Sequence, residues 1–291
     1  MAIAPDRFRH FAAIDWSGAV GPRQPGIAVA ICSQGHAAPT LIGSEGGWSR
    51  TTVFDWLASA MPPDTLVGLD LGPSFPFVDR GAFFPGWADS PADARALWAL
   101  VESICADDPH LGASSFVDHD EVARHLRRHG GRKGEFFEGR GRLRATEDAQ
   151  RRQGLSPTSN LNLVGAAQVG KSSLTGMRVL HRLADRMPVW PFDALPSEGP
   201  VLVEIYTTIA ARAAGIRKGL SKIRDGAALD VALAAIGSDP HVPLARYDDH
   251  ATDAILTAAW LRGAAHRPEL WTPSAMTPHI AQTEGWTFGV S

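Results

Sequence analysis

The runs Phe11-Ala-Ala-Ile-Asp15 and Thr65-Leu-Val-Gly-Leu-Asp-Leu71 decide the fold, because both are short, apolar and typical of buried strands. Residues 26–33 and 40–43 are two further apolar runs, separated from their neighbours by Gly and Pro. Residues 51–60 place their apolar side chains on one helical face. This order predicts three antiparallel strands that lead through a helix to a fourth strand parallel to the first.

The composition is typical of a folded globular chain. Its 291 residues are 44% hydrophobic and 20% charged, which excludes a disordered chain. No run approaches the roughly 20 consecutive apolar residues of a membrane span, and residues 1–10 show neither a secretory signal nor a transit peptide. We therefore expect no membrane segment and a cytoplasmic location. Cys32 and Cys105 are too few for a disulfide framework and are expected to be buried thiols.

A long segment without a clear strand separates the two halves of the predicted sheet. It is rich in Gly and Pro, and we interpret about residues 75–198 as a mainly helical insertion in a single domain over residues 1–291. Regular alternation resumes at residues 200–207, Pro-Val-Leu-Val-Glu-Ile-Tyr-Thr, which predicts a central strand. Helices are predicted over residues 91–105, 121–129, 176–186, 208–214, 225–235 and 248–263.

Three acidic residues lie inside or at the ends of predicted strands. Asp15 closes the first strand, Asp70 lies near the end of the fourth, and Glu204 interrupts Val-Leu-Val-Glu-Ile. A carboxylate in such surroundings costs several kcal/mol unless it is paired or bound to a cation. A shared divalent cation would explain all three.

The predicted helix over residues 248–263 adds two more carboxylates. Asp249 and Asp253 are four residues apart on one face, with His250 between them, beside an apolar face. Like charges at this spacing destabilise an isolated helix by a few tenths of a kcal/mol. Asp249 could instead cap the helix, whereas Asp253 lies inside it and is the stronger candidate for a functional role.

These residues together carry a resemblance to a known family. The motifs are Ile-Asp15-Trp-Ser-Gly, Gly-Leu-Asp70-Leu-Gly-Pro, Val-Glu204-Ile-Tyr, Asp249-His250-Ala-Thr-Asp253-Ala and Glu284-Gly-Trp286-Thr-Phe. Over nearly its whole length the chain resembles the domain-of-unknown-function 429 family, described as predicted nucleases of the ribonuclease H-like superfamily. The sequence departs from that family's common form at Leu71-Gly72 and at residues 206–208, where a proline is more typical.

The resemblance implies a fold, a metal and a set of site residues. The implied fold is an α/β, ribonuclease H-like mixed sheet, with three antiparallel strands followed by parallel strands and helices on its flanks. The family's acidic positions fall on Asp15, Asp70, Glu204 and Asp253, which become the predicted catalytic residues.

The expected chemistry is metal-assisted hydrolysis of nucleic-acid phosphodiester bonds with Mg²⁺ or Mn²⁺. In this scheme Asp15 bridges two ions, Glu204 and Asp253 flank it, and Asp70 or Asp249 completes the ligand set. His250 is expected beside a ligand as a supporting residue.

A nucleotide-binding loop is a competing interpretation. Residues 165–172, Gly-Ala-Ala-Gln-Val-Gly-Lys-Ser, fit the pattern G-x-x-x-x-G-K-[ST], in which Lys171 would hold phosphates. The preceding Asn160 and Asn162 make a poor buried strand, so this interpretation is the weaker one. Lys171 could instead contact a phosphate of the nuclease substrate.

A basic segment is the predicted nucleic-acid contact. Residues 123–154 carry ten Arg or Lys against four acids, with Phe136 and Phe137 interleaved. Such a pattern suits phosphate contact with base stacking, and Arg140, Arg142 and Arg144 are its predicted substrate-binding residues. A solvated surface loop is the alternative. A third hypothesis is a non-catalytic member of the same fold that binds nucleic acid or a partner protein.

Overall fold

A six-stranded mixed sheet organises the chain. The computed structural model describes residues 7–164, 169–184, 186–217 and 222–291. The strands are β1 (His10–Asp15), β2 (Ala28–Ser33), β3 (Thr40–Ile42), β4 (Thr65–Leu69), β5 (Val189–Trp190) and β6 (Val201–Glu204), in the order β3-β2-β1-β4-β6-β5. The β1–β2 and β2–β3 pairs are antiparallel, and the other pairs are parallel. The predicted change from antiparallel to parallel strands is thus confirmed.

The central strands explain the apolar runs that predict them. All five residues of β4 are buried, because the strand lies between β1 and β6 and is covered on both faces. Gly68 in this strand is required by close packing, since a Cβ there would lie 2.5 Å from the Ile205 side chain. The centre of the sheet is therefore fully buried, and it packs closely against Ile205 at Gly68.

Helices cover both faces of the sheet. One face packs against α1 (Arg50–Asp55), α2 (Ala94–Ile104) and α6 (Val169–Leu183), and the other against α7 (Thr207–Ala213), α8 (Gly226–Ala235) and α9 (Asp249–Ala264). The remaining helices are short: α3 (Ser114–Asp118), α4 (Asp120–Ala123), α5 (Ala145–Arg152), α10 (Pro268–Trp271) and α11 (Pro278–Thr283). A π-helical turn, Trp56–Ala60, continues α1. None of the helices in these ranges combines the length and apolar character needed to span a bilayer.

The helix α9 places Asp249, His250 and Asp253 beside the sheet. The side chain of Asp248 caps its first turn by accepting a hydrogen bond from Ala251 N, at 3.0 Å. Its apolar residues are buried on nearly every side, against β1 and β2 and against α7 and α8. The prediction over residues 248–263 is confirmed within one residue.

Two sequence predictions inside the long segment are wrong. The helix predicted over residues 121–129 stops at Ala123, after which the chain turns back and Arg127 forms isolated bridges with Lys133 and Asn162. The strand β5 was not predicted, because two residues give no detectable alternation. Since β5 pairs with β6, the insertion leaves the sheet after β4 and returns before Val189. Cys32 and Cys105 are free and buried, as predicted.

Candidate functional site

The carboxyl ends of β1, β4 and β6 meet at one edge of the sheet. Ile14 lies opposite Leu69, and Leu69 lies opposite Glu204. The backbone N–H of Asp70 donates to the carbonyl of Ile14 at 3.0 Å. Asp15 and Asp70 therefore leave neighbouring strands at the same level.

The strand register separates Glu204 from the two aspartates. Side chains level with each other in a sheet point to the same face, and successive side chains alternate between faces. Ile14 and Leu69 belong to the core beneath α2 and α6, and Glu204 shares their level. Asp15 and Asp70, one position later, belong to the face covered by α9.

The first turns of α9 complete the group of residues around Asp15. The Nδ1 atom of His250 lies 2.6 Å from Oδ2 of Asp15, and the His250 side chain remains 47% exposed while that of Asp15 is 12% exposed. Asp253 follows one turn later on α9 and is partly buried. The predicted support of Asp15 by His250 has a geometric basis in this hydrogen bond.

Burial and mutual repulsion govern the titration of three carboxyl groups. Burial raises the pKa of Asp70 well above its ordinary range, and the charges of Asp15 and Asp253 raise it further. Burial also raises the pKa of Asp253 to about 7, again with help from Asp15. The pKa of Asp15 is raised by burial despite the hydrogen bond from His250. The charge of Asp15 thus acts on both Asp70 and Asp253, and these three residues are here called the carboxylate triad.

Glu204 is occupied by an ion pair, which differs from the predicted role as a metal ligand. Arg144 donates to both oxygens of Glu204, at 2.9 and 2.6 Å, and Thr287 donates to one of them at 2.8 Å. Arg144 also bonds Glu147 and is 1% exposed. Burial alone would lower the pKa of Arg144, but the charges of Glu147 and Glu204 raise it. Arg144 is therefore a buried structural cation, which differs from its predicted substrate contact.

Asp249 is likewise occupied. Lys222 Nζ lies 2.5 Å from its Oδ2 atom, and Arg224 Nη1 lies 2.7 Å from its Oδ1 atom. Both cationic side chains are more than half exposed, so these pairs stabilise Asp249 only weakly. Asp249 is thus paired with cations, yet its charge also raises the pKa of Asp15 and of Asp253.

A cavity of about 430 Å³ opens at this edge of the sheet, and we call it the acidic cavity. Asp70, Glu147 and Glu204 contribute carboxylates to its wall, and Arg144 contributes a guanidinium. The loop after β1, Trp16 to Ala19, forms another part of the wall. The cavity is large enough for a nucleotide-sized group beside Asp70.

The acidic side chains do not form a ready-made metal cage. Within residues 7–164, 169–184, 186–217 and 222–291, no group of three or more His, Cys, Asp or Glu side chains is placed so that it could hold a metal ion. Mg²⁺ commonly uses only one or two protein carboxylates and completes its shell with water and substrate phosphates. Two carboxylates of the carboxylate triad would supply that number of protein ligands.

The nucleotide-binding loop lacks its expected neighbours. Residues 165–168 lie outside the described residues. Residues 155–164 contribute only the isolated bridge of Asn162 with Arg127 and no strand of the sheet, whereas such a loop requires a strand before the helix. Lys171 lines a second cavity beside the acidic one, from which Asp70 and Glu204 are absent.

The predicted basic contacts have different surroundings. Arg142 bonds both oxygens of Asp79 and the carbonyls of Pro76, Ala82 and Phe83, so it fixes a loop, in contrast to its predicted substrate contact. Arg140 is exposed, consistent with access to a ligand. Arg124 pairs with Glu121 and Glu135 and covers the ring of Phe136. Much of the positive charge of this segment is therefore internally paired.

The buried network around Arg144 is not predicted from the sequence. Glu284 lies fully buried in it and accepts backbone N–H groups of Phe77, Val78 and Ala145. The signal was available in the motif Glu-Gly-Trp-Thr-Phe, where one acid precedes two large apolar residues. Glu147 has no comparable sequence feature, because its neighbours are mostly charged or polar and do not mark it as buried.

None of the family models, curated proteins or solved structures compared with this chain matches it. The resemblance to the domain-of-unknown-function 429 family therefore stays a prediction.

Proposed function

We propose that the protein is a metal-dependent phosphodiesterase of ribonuclease H-like architecture that acts on nucleic acid at the carboxylate triad. The observation that carries this proposal is the convergence of Asp15, Asp70 and Asp253 from three distant parts of the chain. Burial raises the pKa of all three carboxyl groups, and the charge of Asp15 raises that of the other two, which is the kind of perturbation that clusters at functional sites. The sheet order, antiparallel and then parallel, supports the architecture.

The donor set suits a hard divalent cation. Carboxylate oxygens are the preferred ligands of Mg²⁺ and Mn²⁺, and Asp70 with Asp15 or Asp253 would hold the ion. When bound, such an ion polarises a phosphoryl oxygen and makes water a better nucleophile. A cation would also remove the repulsion within the carboxylate triad, which the described residues leave without a Lys or Arg partner.

The chain's own residues position this chemistry. His250 donates to or accepts from Asp15 and fixes the direction in which that carboxylate points. The Arg144–Glu204 pair holds the opposite wall of the acidic cavity rigid, because both groups are buried and fully hydrogen bonded. Substrate contact outside the cavity falls to exposed cations such as Arg140.

A non-catalytic nucleic-acid-binding role is the second candidate. It is favoured by the pairing of Glu204 with Arg144 and of Asp249 with Lys222, because these cations compete with a metal ion for two of the predicted ligands. A protein in this role would bind a single strand without cleaving it and would not need the divalent ion.

The test is cleavage of fluorescent single-stranded DNA and RNA by the full chain with Mn²⁺. We expect cleavage that chelation abolishes and that Asp70→Asn reduces by at least about a hundredfold, as loss of an essential metal ligand does. Asp107→Asn is the matched control, because Asp107 is exposed and distant in sequence from the triad. Binding without cleavage would favour the second candidate, and cleavage unaffected by Asp70→Asn would contradict the proposal.

A further inference from the structure

A second cavity, here called the cationic cavity, lies beside the acidic cavity and is not explained by the carboxylate triad. Its volume is about 350 Å³. Four cationic side chains line it against two carboxylates, and two histidines add ring nitrogens. These residues are Arg50, Arg128, Arg132, Lys171, Asp108, Asp118, His110 and His129.

Arg50 is a buried cation with no carboxylate beside it. It is 2% exposed, and its guanidinium donates to the carbonyls of Ser17, Ala19 and His110 at 3.0 to 3.1 Å. In the described part of the chain no Asp or Glu lies within ion-pair distance of it. Burial lowers its pKa to about 10, and the nearby Arg178 contributes to the same effect, yet Arg50 stays charged at neutral pH. A buried charge without a counterion is unfavourable, so an anion in the cavity would stabilise it.

The two carboxylates of the cavity wall are already engaged. Asp118 pairs with Arg128 at 3.3 Å. Asp108 accepts hydrogen bonds from the backbone N–H and the hydroxyl of Ser115, at 2.9 and 2.6 Å. Arg50, Arg132 and Lys171 consequently face the cavity without a carboxylate partner among residues 7–164, 169–184, 186–217 and 222–291.

The wall of the cationic cavity is strained and held in place. His110 and Leu111 have φ angles of 57° and 53°, in the left-handed region that non-glycine residues rarely adopt. Arg50 bonds the carbonyl of His110, while Arg178 bonds the carbonyls of Asp108 and Gly112. Strain maintained by two buried arginines at a cavity wall is typical of a binding site formed before its ligand arrives.

The loop after β1 lies on the boundary between the two cavities. Gly18 and Ala19 line both. A Cβ at Gly18 would lie 2.6 Å from backbone atoms of Lys171 and Ser172, so the loop packs directly against α6. A ligand with several phosphate groups could therefore cross this loop from one cavity to the other.

We propose that the cationic cavity binds a phosphate ester group through Arg50, Arg132 and Lys171. Guanidinium and ammonium groups converging on one pocket suit the three outward oxygens of a phosphate, and Arg50 is fixed before binding. The phosphate belongs either to a nucleic-acid strand that continues into the acidic cavity or to a small phosphorylated molecule. The first source rests on the proposed function, whereas phosphate binding itself does not.

The experiment measures binding in the absence of divalent ions, so that it is independent of cleavage. Fluorescence anisotropy follows a labelled single-stranded decanucleotide, and calorimetry follows pyrophosphate, with the full chain in EDTA at low salt. We expect Arg132→Gln/Lys171→Gln to weaken pyrophosphate binding by about tenfold or more, since two direct phosphate contacts are lost. Arg9→Gln/Arg267→Gln is the matched control, because it removes two exposed cations that lie outside both the cationic cavity and the basic segment.

The outcomes separate the two sources and the two proposals. Loss of both ligands in the double variant assigns the phosphate to a nucleic-acid strand, and loss of pyrophosphate alone assigns it to a small molecule. Wild-type pyrophosphate binding that is absent, or equal in the double variant and its control, would overturn the proposal. The Asp70→Asn protein should bind pyrophosphate as tightly as the wild type even if it cannot cleave nucleic acid. Pyrophosphate binding by a wild-type protein that cleaves neither DNA nor RNA would therefore contradict the proposed function and leave the phosphate site supported.

Discussion

At the scale of single residues, Asp15 is the carboxylate whose charge acts on both Asp70 and Asp253 and raises the pKa of each. Glu204 and Asp249 also lie close enough to raise the pKa of a member of the carboxylate triad, but both are paired with cations. Asp15, Asp70, Glu204 and Asp253 are all candidates from the sequence, because charges inside or beside apolar runs are conspicuous. The ion pair of Glu204 is not predictable in this way, because the pairing depends on strand register and on Arg144, sixty residues away.

Asp253 should make the metal-free protein less stable at alkaline pH. Its folded pKa of about 7 lies above the unfolded value of 3.8, so the native state holds a proton that the unfolded state releases between these values. Stability from this group is therefore present below about pH 4 and lost as pH rises through 7. We expect Asp253→Asn to raise the free energy of unfolding at about pH 8 by about 2 kcal/mol, with little change at about pH 4.

Urea denaturation of both proteins in EDTA at the two pH values checks this expectation. Asp107→Asn serves as the control for an exposed aspartate. An Asp253→Asn protein that is less stable than the wild type at alkaline pH would show that the side chain is stabilised there, contrary to its assigned surroundings.

Arg144 and Glu204 should differ sharply in their sensitivity to substitution. Arg144→Met leaves Glu147 and Glu204 buried without a counterion, and we expect a loss of about 3–5 kcal/mol in the free energy of unfolding. Glu204→Gln keeps the Arg144–Glu147 pair and should cost about 1–2 kcal/mol. Chemical denaturation gives both values. If Glu204→Gln binds Mn²⁺ as tightly as the wild type, Glu204 is not a metal ligand. If Glu204→Gln no longer binds Mn²⁺, Glu204 is a metal ligand, as the sequence predicts.

At the scale of elements, the sequence predicts long periodic segments well and short ones poorly. β1, β2, β4, β6 and α9 are recovered because their apolar runs are buried by the sheet or by the helices upon it, whereas the largely exposed β3 is recovered from its Gly and Pro boundaries. β5 has two residues, and the helix predicted over residues 121–129 ends at Ala123. Contacts with Lys133 and Asn162 decide the path of that segment, and local periodicity carries no information about them.

His125 makes the segment between β4 and β5 sensitive to acid. Burial lowers its pKa to about 4, helped by Arg142 and Arg124, and its ring packs on Phe84 and Phe136. Because the unfolded pKa is 6.5, stability from the neutral ring is present above this value and lost as pH falls toward 4. The free energy of unfolding should fall between about pH 7 and about pH 4.5, and we expect this fall to be about 1–3 kcal/mol smaller in His125→Phe than in the wild type.

An equal fall in the two proteins would contradict the burial of a neutral His125 ring.

At the scale of the whole molecule, one sheet edge gathers groups from both halves of the chain. The loop after β1, the end of β4, α5 and the start of α6 surround the acidic cavity, and α9 supplies His250 and Asp253 beside Asp15. Buried Glu284 joins the C-terminal segment to residues 77, 78 and 145. The fold class is predictable from the order of the strands. The meeting of these distant residues at one sheet edge is not, because it depends on the register between the strands.

Calorimetric titration of the full chain with Mn²⁺ at about pH 8, beside Asp70→Asn and Asp107→Asn, measures whether the carboxylate triad holds a divalent ion. We expect saturable binding by the wild type and Asp107→Asn, and affinity at least about tenfold weaker in Asp70→Asn, as for removal of a direct ligand. A wild-type protein that binds no Mn²⁺, or an Asp70→Asn protein that binds it equally well, would contradict a metal site at the carboxylate triad.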